Sequence, residues 1–276
     1  MNLPILTNDL ANQIEHADFL VMQDRMLAMQ AKSGNPIGVE IKQFGNATAL
    51  LAKNLPIRDF NRVYGFTPED VPFLDEIKSF YLDQSSRIPF GIDVVPSACT
   101  SKMLEQLSLA GFRQTDFHTA MYGIPNSLVE TYSPSQPTTS VTVHEVSPVE
   151  LPVIEQIFID ALELPFNEPS ELPENLAFLH NHPDWKLFLG YVNEQPAGFA
   201  LFHLKENVAS FAQAGTKPEF RGHGLQTALL QARMQAAIDT DAALLVAQAS
   251  FGSISLRNLQ RFGMQVAFTK SVWTYV

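Results

Sequence analysis

The segment that most constrains this 276-residue chain is TKPEFRGHGLQTALL, residues 216–230. A strand-like run, Val208 to Ala214, precedes it. Residues Leu225, Ala228, Leu229, Ala232 and Ala236 follow at the spacing of one apolar face of an α-helix. The sequence therefore predicts a strand, a tight Arg-Gly-His-Gly turn and a helix in direct succession.

The predicted turn is suited to binding an anion. Two glycines, Gly222 and Gly224, stand just before the helix and leave its first N–H groups uncovered, and Arg221 adds a positive charge. Uncovered N–H groups and the helix dipole together attract a phosphate or pyrophosphate. The alternative is an ordinary glycine turn with Arg221 in solvent. Two other phosphate motifs do not fit, because Thr227 occupies the place of the third glycine of GxGxxG and no Gly-Lys-Ser/Thr follows.

Charge and composition exclude several classes of partner. The formal net charge is −11, which argues against nucleic acid and anionic membranes as ligands. A hydrophobic fraction of 46% is sufficient for packed cores, and the single cysteine, Cys99, fits a reducing compartment. No apolar run reaches the length of a membrane span. We expect a cytoplasmic protein, and the sequence gives no indication of an oligomeric interface.

The chain divides into two parts at a linker. Residues 123–140, GIPNSLVETYSPSQPTTS, hold three prolines and a Ser/Thr cluster, which is typical of a domain boundary. We therefore predict domains at residues 1–135 and 136–276. In the second domain the patterns predict the following elements: strand 141–146, helices 150–162 and 171–181, strands 186–192, 196–204 and 207–215, the helix after Gly224, strand 242–248, helix 253–262 and a strand from 264.

The two parts also resemble each other at an offset of 152 residues. Leu107, Gly111 and Phe112 align with Leu259, Gly263 and Met264, and each set predicts a strand, a helix, a glycine that ends the helix, and a second strand. Chance similarity is the alternative explanation. The same offset places residues 69–72, Glu-Asp-Val-Pro, under the Arg-Gly-His-Gly turn. Two carboxylates would repel a phosphate and the proline removes a donor N–H, so we expect the first domain to lack the anion site.

The second part resembles the GNAT superfamily of N-acyltransferases. The acyl-CoA motif of that family, Gln/Arg-x-x-Gly-x-Gly/Ala, appears as Arg221-x-x-Gly224-x-Gln226, and a helix ending in a glycine-apolar pair appears as Ser255-x-x-Asn258-x-x-Arg261-Phe-Gly263-Met264. The resemblance implies an α/β (α+β) fold with two GNAT-like domains in tandem, each a mixed, mostly antiparallel sheet flanked by helices. It also implies acetyl-CoA as acyl donor and an amine as acceptor.

The resemblance assigns the cofactor-binding residues. The pyrophosphate would lie on Arg221, Gly222, His223, Gly224, Leu225, Gln226 and Thr227. Backbone N–H groups near Ala214, Gly215 and Thr216 would polarise the thioester carbonyl. Ser255 and Asn258 would bond the pantetheine arm or the thiolate, or alternatively only cap their helix. His180 and His182 occupy a predicted loop, and no metal site is expected.

No catalytic residue is assigned. Leu259 stands where many relatives carry the tyrosine that protonates the leaving thiolate, and Ser210 stands where some carry a glutamate base. A water relayed by Ser210 or Gln213, or recruitment of Glu163 or Glu168, remains open, and those glutamates are otherwise solvated surface. The leading hypothesis is an N-acyltransferase acting on a primary amine of a small molecule or peptide. The alternative is an acetyl-CoA-binding or scaffolding protein without catalysis.

Overall fold

A computed structural model of the chain describes residues 3–84, 88–131, 140–164, 167–171 and 175–276. The described residues form two compact units. We call Leu6–Ala120, Ala249–Ser253 and Val266–Val276 the N-terminal unit, and Met121–Gln248 and Ile254–Gln265, with residues 3–5, the C-terminal unit. Among the described residues no helix has both the length and the apolar character needed to span a bilayer.

The elements of both units follow one another as regular helices and strands. In chain order they are α1 (Asn8–Gln30), β1 (Val39–Phe44), β2 (Ala47–Ala52), β3 (Arg62–Tyr64), α2 (Leu74–Leu82), β4 (Gly91–Val94), α3 (Ser101–Leu109), β5 (Phe112–Gly123), α4 (Pro125–Thr131), β6 (Val141–Glu145), α5 (Leu151–Leu162), α6 (Leu176–Asn181), β7 (Trp185–Val192), β8 (Gln195–Lys205), β9 (Val208–Thr216), α7 (Leu225–Asp239), β10 (Leu244–Ser250), α8 (Ile254–Arg261) and β11 (Gln265–Tyr275). Short 3₁₀ turns precede several of the helices.

The C-terminal unit is built on five strands in the order β10-β9-β8-β7-β6. The pairs β6–β7, β7–β8 and β8–β9 are antiparallel, and β9–β10 is parallel. The observed bounds agree with the predicted ones to within a few residues, apart from the predicted helix 171–181. There α6 begins at Leu176, and residues 172–174 lie outside the described part of the chain.

The N-terminal unit contains a sheet in the order β1-β2-β3-β4-β11-β5. The pair β3–β4 is parallel, whereas β1–β2, β2–β3 and β4–β11 are antiparallel. Its core contains an aromatic group in which Phe90 stacks on Tyr81 and on Tyr275, and Phe112 meets both Phe90 and Tyr275 edge-on. In each unit the strand pairing is mixed and mostly antiparallel, as the predicted fold class requires.

The predicted repeat is present in the structure. Strand β4, helix α3 and strand β5 recur at the offset of 152 residues as β10, α8 and β11. Gly111 and Gly263, which end the two helices, have φ of 97° and 98°, a left-handed conformation that favours glycine. The strand-helix-glycine-strand prediction is therefore confirmed in both halves of the chain.

Strand β11 is the main departure from the predicted division. The boundary between residues 135 and 136 lies outside the described residues, but β11, which the prediction gave to the second domain, belongs to the N-terminal unit. Trp273 is buried in the core of that unit, and a Cβ on Gly91 would lie 2.7 Å from the Trp273 carbonyl oxygen. A linker sequence indicates where the chain leaves one domain. It carries no information on a later strand, such as β11, that returns to the first domain about 130 residues further on.

A buried ion cluster holds β11 in the N-terminal sheet. The fully buried Lys270 ammonium on β11 lies 3.1 Å from Glu15, 2.9 Å from Asp18 and 3.3 Å from Asp93, and Arg62 lies 2.7 Å from Asp93. Burial alone would lower the pKa of Lys270, but the three carboxylates raise it well above its usual range. Burial alone would likewise raise the pKa of Asp93, yet Arg62 and Lys270 hold it at about 2. Both groups are therefore charged at neutral pH.

The ion cluster predicts that Lys270→Met strongly destabilises the N-terminal unit. Removing one partner of a buried ion pair leaves uncompensated buried charge, so we expect the free energy of unfolding to fall by about 3–5 kcal/mol. Urea unfolding followed by Trp273 fluorescence in a Trp185→Phe background measures it. The control is Lys53→Met, whose exposed bridge to Glu40 has a length of 2.6 Å and should contribute about 1 kcal/mol or less. Equal losses in the two variants would contradict a special role for the buried lysine.

The same cluster predicts a pH dependence that originates at Glu15. Burial raises the pKa of its carboxyl from 4.5 to about 7, against the lowering effect of Lys270. The folded state therefore keeps a proton that the unfolded state loses above pH 4.5, and the free energy of unfolding falls as pH rises towards 7. In Glu15→Gln this part of the fall, about 1–3 kcal/mol, should be absent. Urea unfolding at pH 5 and pH 8 tests it, with the exposed Glu40→Gln as control, and an unchanged pH slope in Glu15→Gln would refute it.

Candidate functional site

Two glycines give the predicted turn its shape. Gly222 and Gly224 both have φ of 84°, a region that L side chains rarely adopt. A Cβ on Gly222 would meet no atom within 4 Å, so the space above this glycine is open. Glycine is needed at both positions for the backbone conformation, and at Gly222 it also leaves the turn accessible.

The N-terminus of α7 offers uncovered donors. The first bond of the helix runs from the Ala228 N–H to the Gly224 carbonyl, at 3.2 Å. The N–H groups of Leu225, Gln226 and Thr227 precede that bond, and Gly224 at the N-cap supplies no side-chain acceptor for them. A row of free N–H groups at the positive end of a 15-residue helix is a site for an anion.

Close packing fixes the position of this helix end on the sheet. Leu225 is buried, and its side chain lies over Gly190 of β7 and Gly198 of β8. A Cβ on Gly190 would be 2.6 Å from Leu225, and one on Gly198 would be 2.8 Å from Leu225 and 2.7 Å from the Gly215 carbonyl oxygen. The two glycines therefore let the start of α7 rest directly on β7 and β8.

Arg221 is present at the site but already has a partner. Its guanidinium lies 2.9 Å from the Glu163 carboxylate, and it also bonds the carbonyls of Thr216 and Ala161. Both side chains of the ion pair are more than half exposed, so the pair is weak and an incoming anion can displace Glu163. Glu163, one of the two glutamates considered as a base, is thus bound to the arginine. His223 is exposed and contacts the carbonyls of Phe220 and Arg221 through Nδ1.

Strands β9 and β10 separate close to the turn. Their parallel ladder pairs residues 208–211 with 244–247 and ends at Phe211 and Ala247. At the same level the register of β8 and β9 shifts, so that Ala212 has no partner on β8 and forms a bulge. Beyond it β9 continues to Thr216 beside β8, on the edge that leads to the turn. The β9–β10 ladder therefore ends where the predicted gap would begin.

Backbone donors line that gap. Lys217 donates to the Ala197 carbonyl at 2.9 Å, and Gly215 stands opposite Phe199. Because amides of an antiparallel strand alternate between its two edges, the N–H groups of Ala214 and Thr216 face away from β8, on the β10 side. Of the three residues predicted to meet the thioester, Ala214 and Thr216 thus offer N–H groups to the gap, and Gly215 faces β8.

Several polar side chains share one face beside the gap, among them His203, the partner of Ser210 on β8. Paired residues of a ladder project to the same side, which places Ser210, Gln213 and Gln248 on one face of the sheet. The Ser210 hydroxyl, the Gln213 carbonyl oxygen and both amide atoms of Gln248 are buried without a hydrogen-bond partner in the described residues. Unpaired buried polar atoms are costly, and they favour a water or a ligand at this place. Gln248 was not among the predicted site residues, although a glutamine inside the apolar run LLVAQA was a possible signal.

Helix α8 carries the remaining predicted residues. It begins at Ile254, so the exposed Ser255 lies within the first turn and Ser253, not Ser255, precedes the helix. Asn258 accepts a hydrogen bond from Arg261 at 3.3 Å. Leu259, at the position of the expected tyrosine, is buried, and its carbonyl accepts from the Met264 N–H. This helix end therefore offers an amide at Asn258 but no acid.

Other polar candidates are engaged locally. Glu168 is exposed and bonds Ser170 at 3.5 Å. His180 lies 3.0 Å from the Val146 carbonyl, and His182 accepts a bond from the Asp184 N–H at 3.3 Å. Glu168, His180 and His182 therefore have local contacts of their own that account for their positions.

Comparison with known proteins agrees with this geometry. Residues 151–264 match the model of the acetyltransferase (GNAT) family. No curated protein sequence gives a significant match to the chain.

Solved structures resemble nearly the whole chain. A GCN5-related N-acetyltransferase from Kribbella flavida is 18% identical with a TM-score of 0.68, covering 96% of this chain and 95% of its own. A GCN5-related N-acetyltransferase from Sphaerobacter thermophilus is 15% identical with a TM-score of 0.62, covering 94% and 92%. A tandem GNAT protein from the clavulanic acid biosynthesis pathway is 14% identical with a TM-score of 0.57, covering 94% and 95%. These likenesses show the fold.

The close packing of α7 on Gly198 predicts that Gly198→Ala destabilises the C-terminal unit. The added methyl would collide with the Gly215 carbonyl oxygen and with Leu225, so we expect a loss of about 1–3 kcal/mol of unfolding free energy. Urea unfolding followed by Trp185 fluorescence in a Trp273→Phe background measures it. Gln195→Ala, at an exposed position of the same strand, is the control and should stay within about 0.5 kcal/mol. A neutral Gly198→Ala would show that the close approach is not required.

Proposed function

Because residues 151–264 are a GNAT acetyltransferase domain, we propose that the chain transfers an acetyl group from acetyl-CoA to a primary amine of a small molecule or peptide. The observation that carries the proposal is the open N-terminus of α7 placed at the end of the separated strands β9 and β10. An elongated thioester with a pyrophosphate fits a donor row at one end and a gap lined by backbone amides behind it.

Different residues of the site would bind different parts of acetyl-CoA. In this proposal the pyrophosphate lies on the N–H groups of the turn and the first turn of α7, with Arg221 as counter-charge once Glu163 is displaced. The pantetheine arm follows the gap, and the N–H groups of Ala214 and Thr216 face the thioester carbonyl, where they would stabilise the developing oxyanion. Asn258 of α8 is available to bond the end of the arm, because the side-chain hydrogen bond that the structure describes for it comes from the neighbouring Arg261.

The proton path has to work without a carboxylate on β9. Ser210, Gln213 and Gln248 cannot take up a proton at neutral pH, but their unpaired atoms can hold a water beside the gap. That water would accept the proton of the substrate ammonium and pass it to solvent. The amine nitrogen then attacks the carbonyl carbon, the C–S bond breaks, and the nitrogen gives up its second proton to the same water. The CoA thiolate takes a proton from that water in turn, since Leu259 has none to give.

A second candidate is an acetyl-CoA-binding protein without catalysis. It is favoured by one specific observation, the buried leucine at position 259 where many relatives carry a tyrosine acid. Binding of acetyl-CoA is common to both candidates, so only turnover distinguishes them. Release of free CoA thiol with a panel of primary amines supports the transferase, and binding without release supports the second candidate.

The anion site predicts opposite effects for its two charged residues. Arg221→Glu should weaken acetyl-CoA binding by about 10–100-fold, because a charge-assisted hydrogen bond is replaced by repulsion. Glu163→Gln should strengthen binding by a few-fold, because it removes the competing carboxylate. Isothermal titration with acetyl-CoA measures both, and Arg113→Glu, the same charge change at an exposed residue of the N-terminal unit, is the control. No acetyl-CoA affinity in the wild type, or the same affinity in Arg221→Glu, would refute the proposed site.

The proposed water relay predicts a selective loss of turnover in Gln248→Leu. We expect kcat to fall on the order of tenfold, less than the 10²–10⁴ of a direct general base, with the acetyl-CoA dissociation constant unchanged. In the wild type kcat/KM should rise with pH along the titration of the amine itself, since no enzyme carboxylate or imidazole acts as base. Steady-state thiol release from pH 6 to 10 tests this. A plateau set by an enzyme group near pH 7 would contradict the relay.

A further inference from the structure

The N-terminal unit contains a cavity of ≈ 470 Å³ that the proposed transferase site does not use. It lies where α1 passes the ends of β3 and β4. Its wall combines a buried carboxylate, aromatic rings and short polar side chains, among them Glu15, Phe19, Asn46, Tyr64, Phe66 and Thr67.

The donors that would hold an anion at this place are already occupied. Asp70 is 1% exposed and accepts hydrogen bonds from the N–H groups of Asn46 and Thr67 and from the Thr67 hydroxyl, at 2.7–2.9 Å. Asp70 stands at the repeat position of Gly222, at the offset of 152 residues. A phosphate would therefore meet a carboxylate here, whereas the C-terminal unit offers it free N–H groups.

The ion cluster beside the cavity holds more carboxylates than cations. Glu15, Asp18 and Asp93 face Lys270 and Arg62. The pair of Arg58 with the exposed Asp59, in which Arg58 also lies 3.9 Å from Asp93, adds no net charge. The His118 imidazole interacts electrostatically with Asp93. Its pKa is lowered first by burial and then by Arg62, so it supplies no compensating charge at neutral pH. Of the three carboxylates only Glu15 lines the cavity, so the excess charge is accessible there.

The rest of the wall suits an organic body. The Phe19 and Tyr64 rings lie 5.6 Å apart, inclined at 55°. Arg62 and Lys270 already lie over the Tyr64 ring, 5.1 and 5.5 Å from its centroid, so Phe19 is the ring that offers a cation a further aromatic face. The Tyr64 hydroxyl is buried and has no hydrogen-bond partner in the described residues, so one polar atom of the wall can still hydrogen-bond a ligand.

We propose that this cavity binds a small organic amine in its ammonium form, with the ammonium at Glu15 and the body against Phe19 and Tyr64. The ligand supplies the positive charge that the ion cluster lacks. Binding of this amine is independent of acetyl-CoA and is separate from the acceptor of the proposed transferase.

The test uses the full chain with phenethylamine, cyclohexylmethylamine and butylamine as probes, each compared with its matched alcohol. Saturation-transfer NMR and isothermal titration at pH 7 should show that at least one amine binds ten or more times more tightly than its alcohol. Titration in two buffers of different ionisation enthalpy should show release of about half a proton, because the ammonium ionises Glu15. Glu15→Gln should abolish both the preference and the proton release, while Glu40→Gln should keep them and acetyl-CoA affinity should be the same in both variants.

A second variant keeps the proposal testable if Glu15→Gln does not fold. Ala98→Phe narrows the cavity without changing any charge, and it should lose amine binding while retaining acetyl-CoA binding. Equal binding of amines and alcohols, absence of amine binding in the wild type, or an amine preference that survives in Glu15→Gln or Ala98→Phe would each overturn the proposal. An amine held in the acceptor site of the transferase would give that last result, so the two proposals fail separately.

Discussion

The ion cluster around Lys270 is the interaction on which the architecture of this chain depends. It places a lysine from the last strand among three carboxylates of α1 and β4, and the same strand contributes Trp273 and Tyr275 to the aromatic core of the N-terminal unit. A fragment cut at residue 135 therefore lacks a central strand of its own sheet and leaves the three carboxylates of the cluster with one cation fewer. The two halves of the sequence are consequently not two independently foldable pieces, although each contains the elements of a domain.

Small residues play the corresponding role at the candidate acyl-CoA site. The start of α7 rests on two glycines of β7 and β8, and the turn before it needs glycine for its backbone conformation. The donors of the site are thus fixed by the scaffold rather than by side chains that must be ordered on binding, which keeps the entropic cost of binding low. The charged side chains of Arg221 and Glu163 are exposed. The geometry of the site therefore depends on glycine packing, and in the proposed function its affinity depends on these two residues.

Local sequence patterns predicted the elements of the fold, but not the side-chain contacts at the candidate site. The apolar stripe after Gly224, the repeat at 152 residues and the glycines at 111 and 263 are short-range signals, and each corresponds to an observed element. The donated strand β11 depends on contacts between residues 255 positions apart, as in the Lys270–Glu15 pair, which no periodicity encodes. Gln248 escaped prediction because its significance depends on the strand register that sets it beside Ser210 and Gln213. The engagement of Glu163 by Arg221 likewise depends on tertiary packing.

The repeat shows how two similar halves of the chain differ at the same turn. In the second half of the chain Gly222 leaves backbone N–H groups free and Arg221 adds a cation. At the same repeat position of the first half, Asp70 accepts hydrogen bonds from the N–H groups of Asn46 and Thr67, and Glu69 replaces the arginine. Substituting an acid for a glycine at a donor-rich turn does two things at once: it stabilises the turn internally and it reverses the sign of the local potential. A half without the anion site is still a packed domain with a cavity, and in our proposal the carboxylate of Glu15 decides which ligands that cavity accepts.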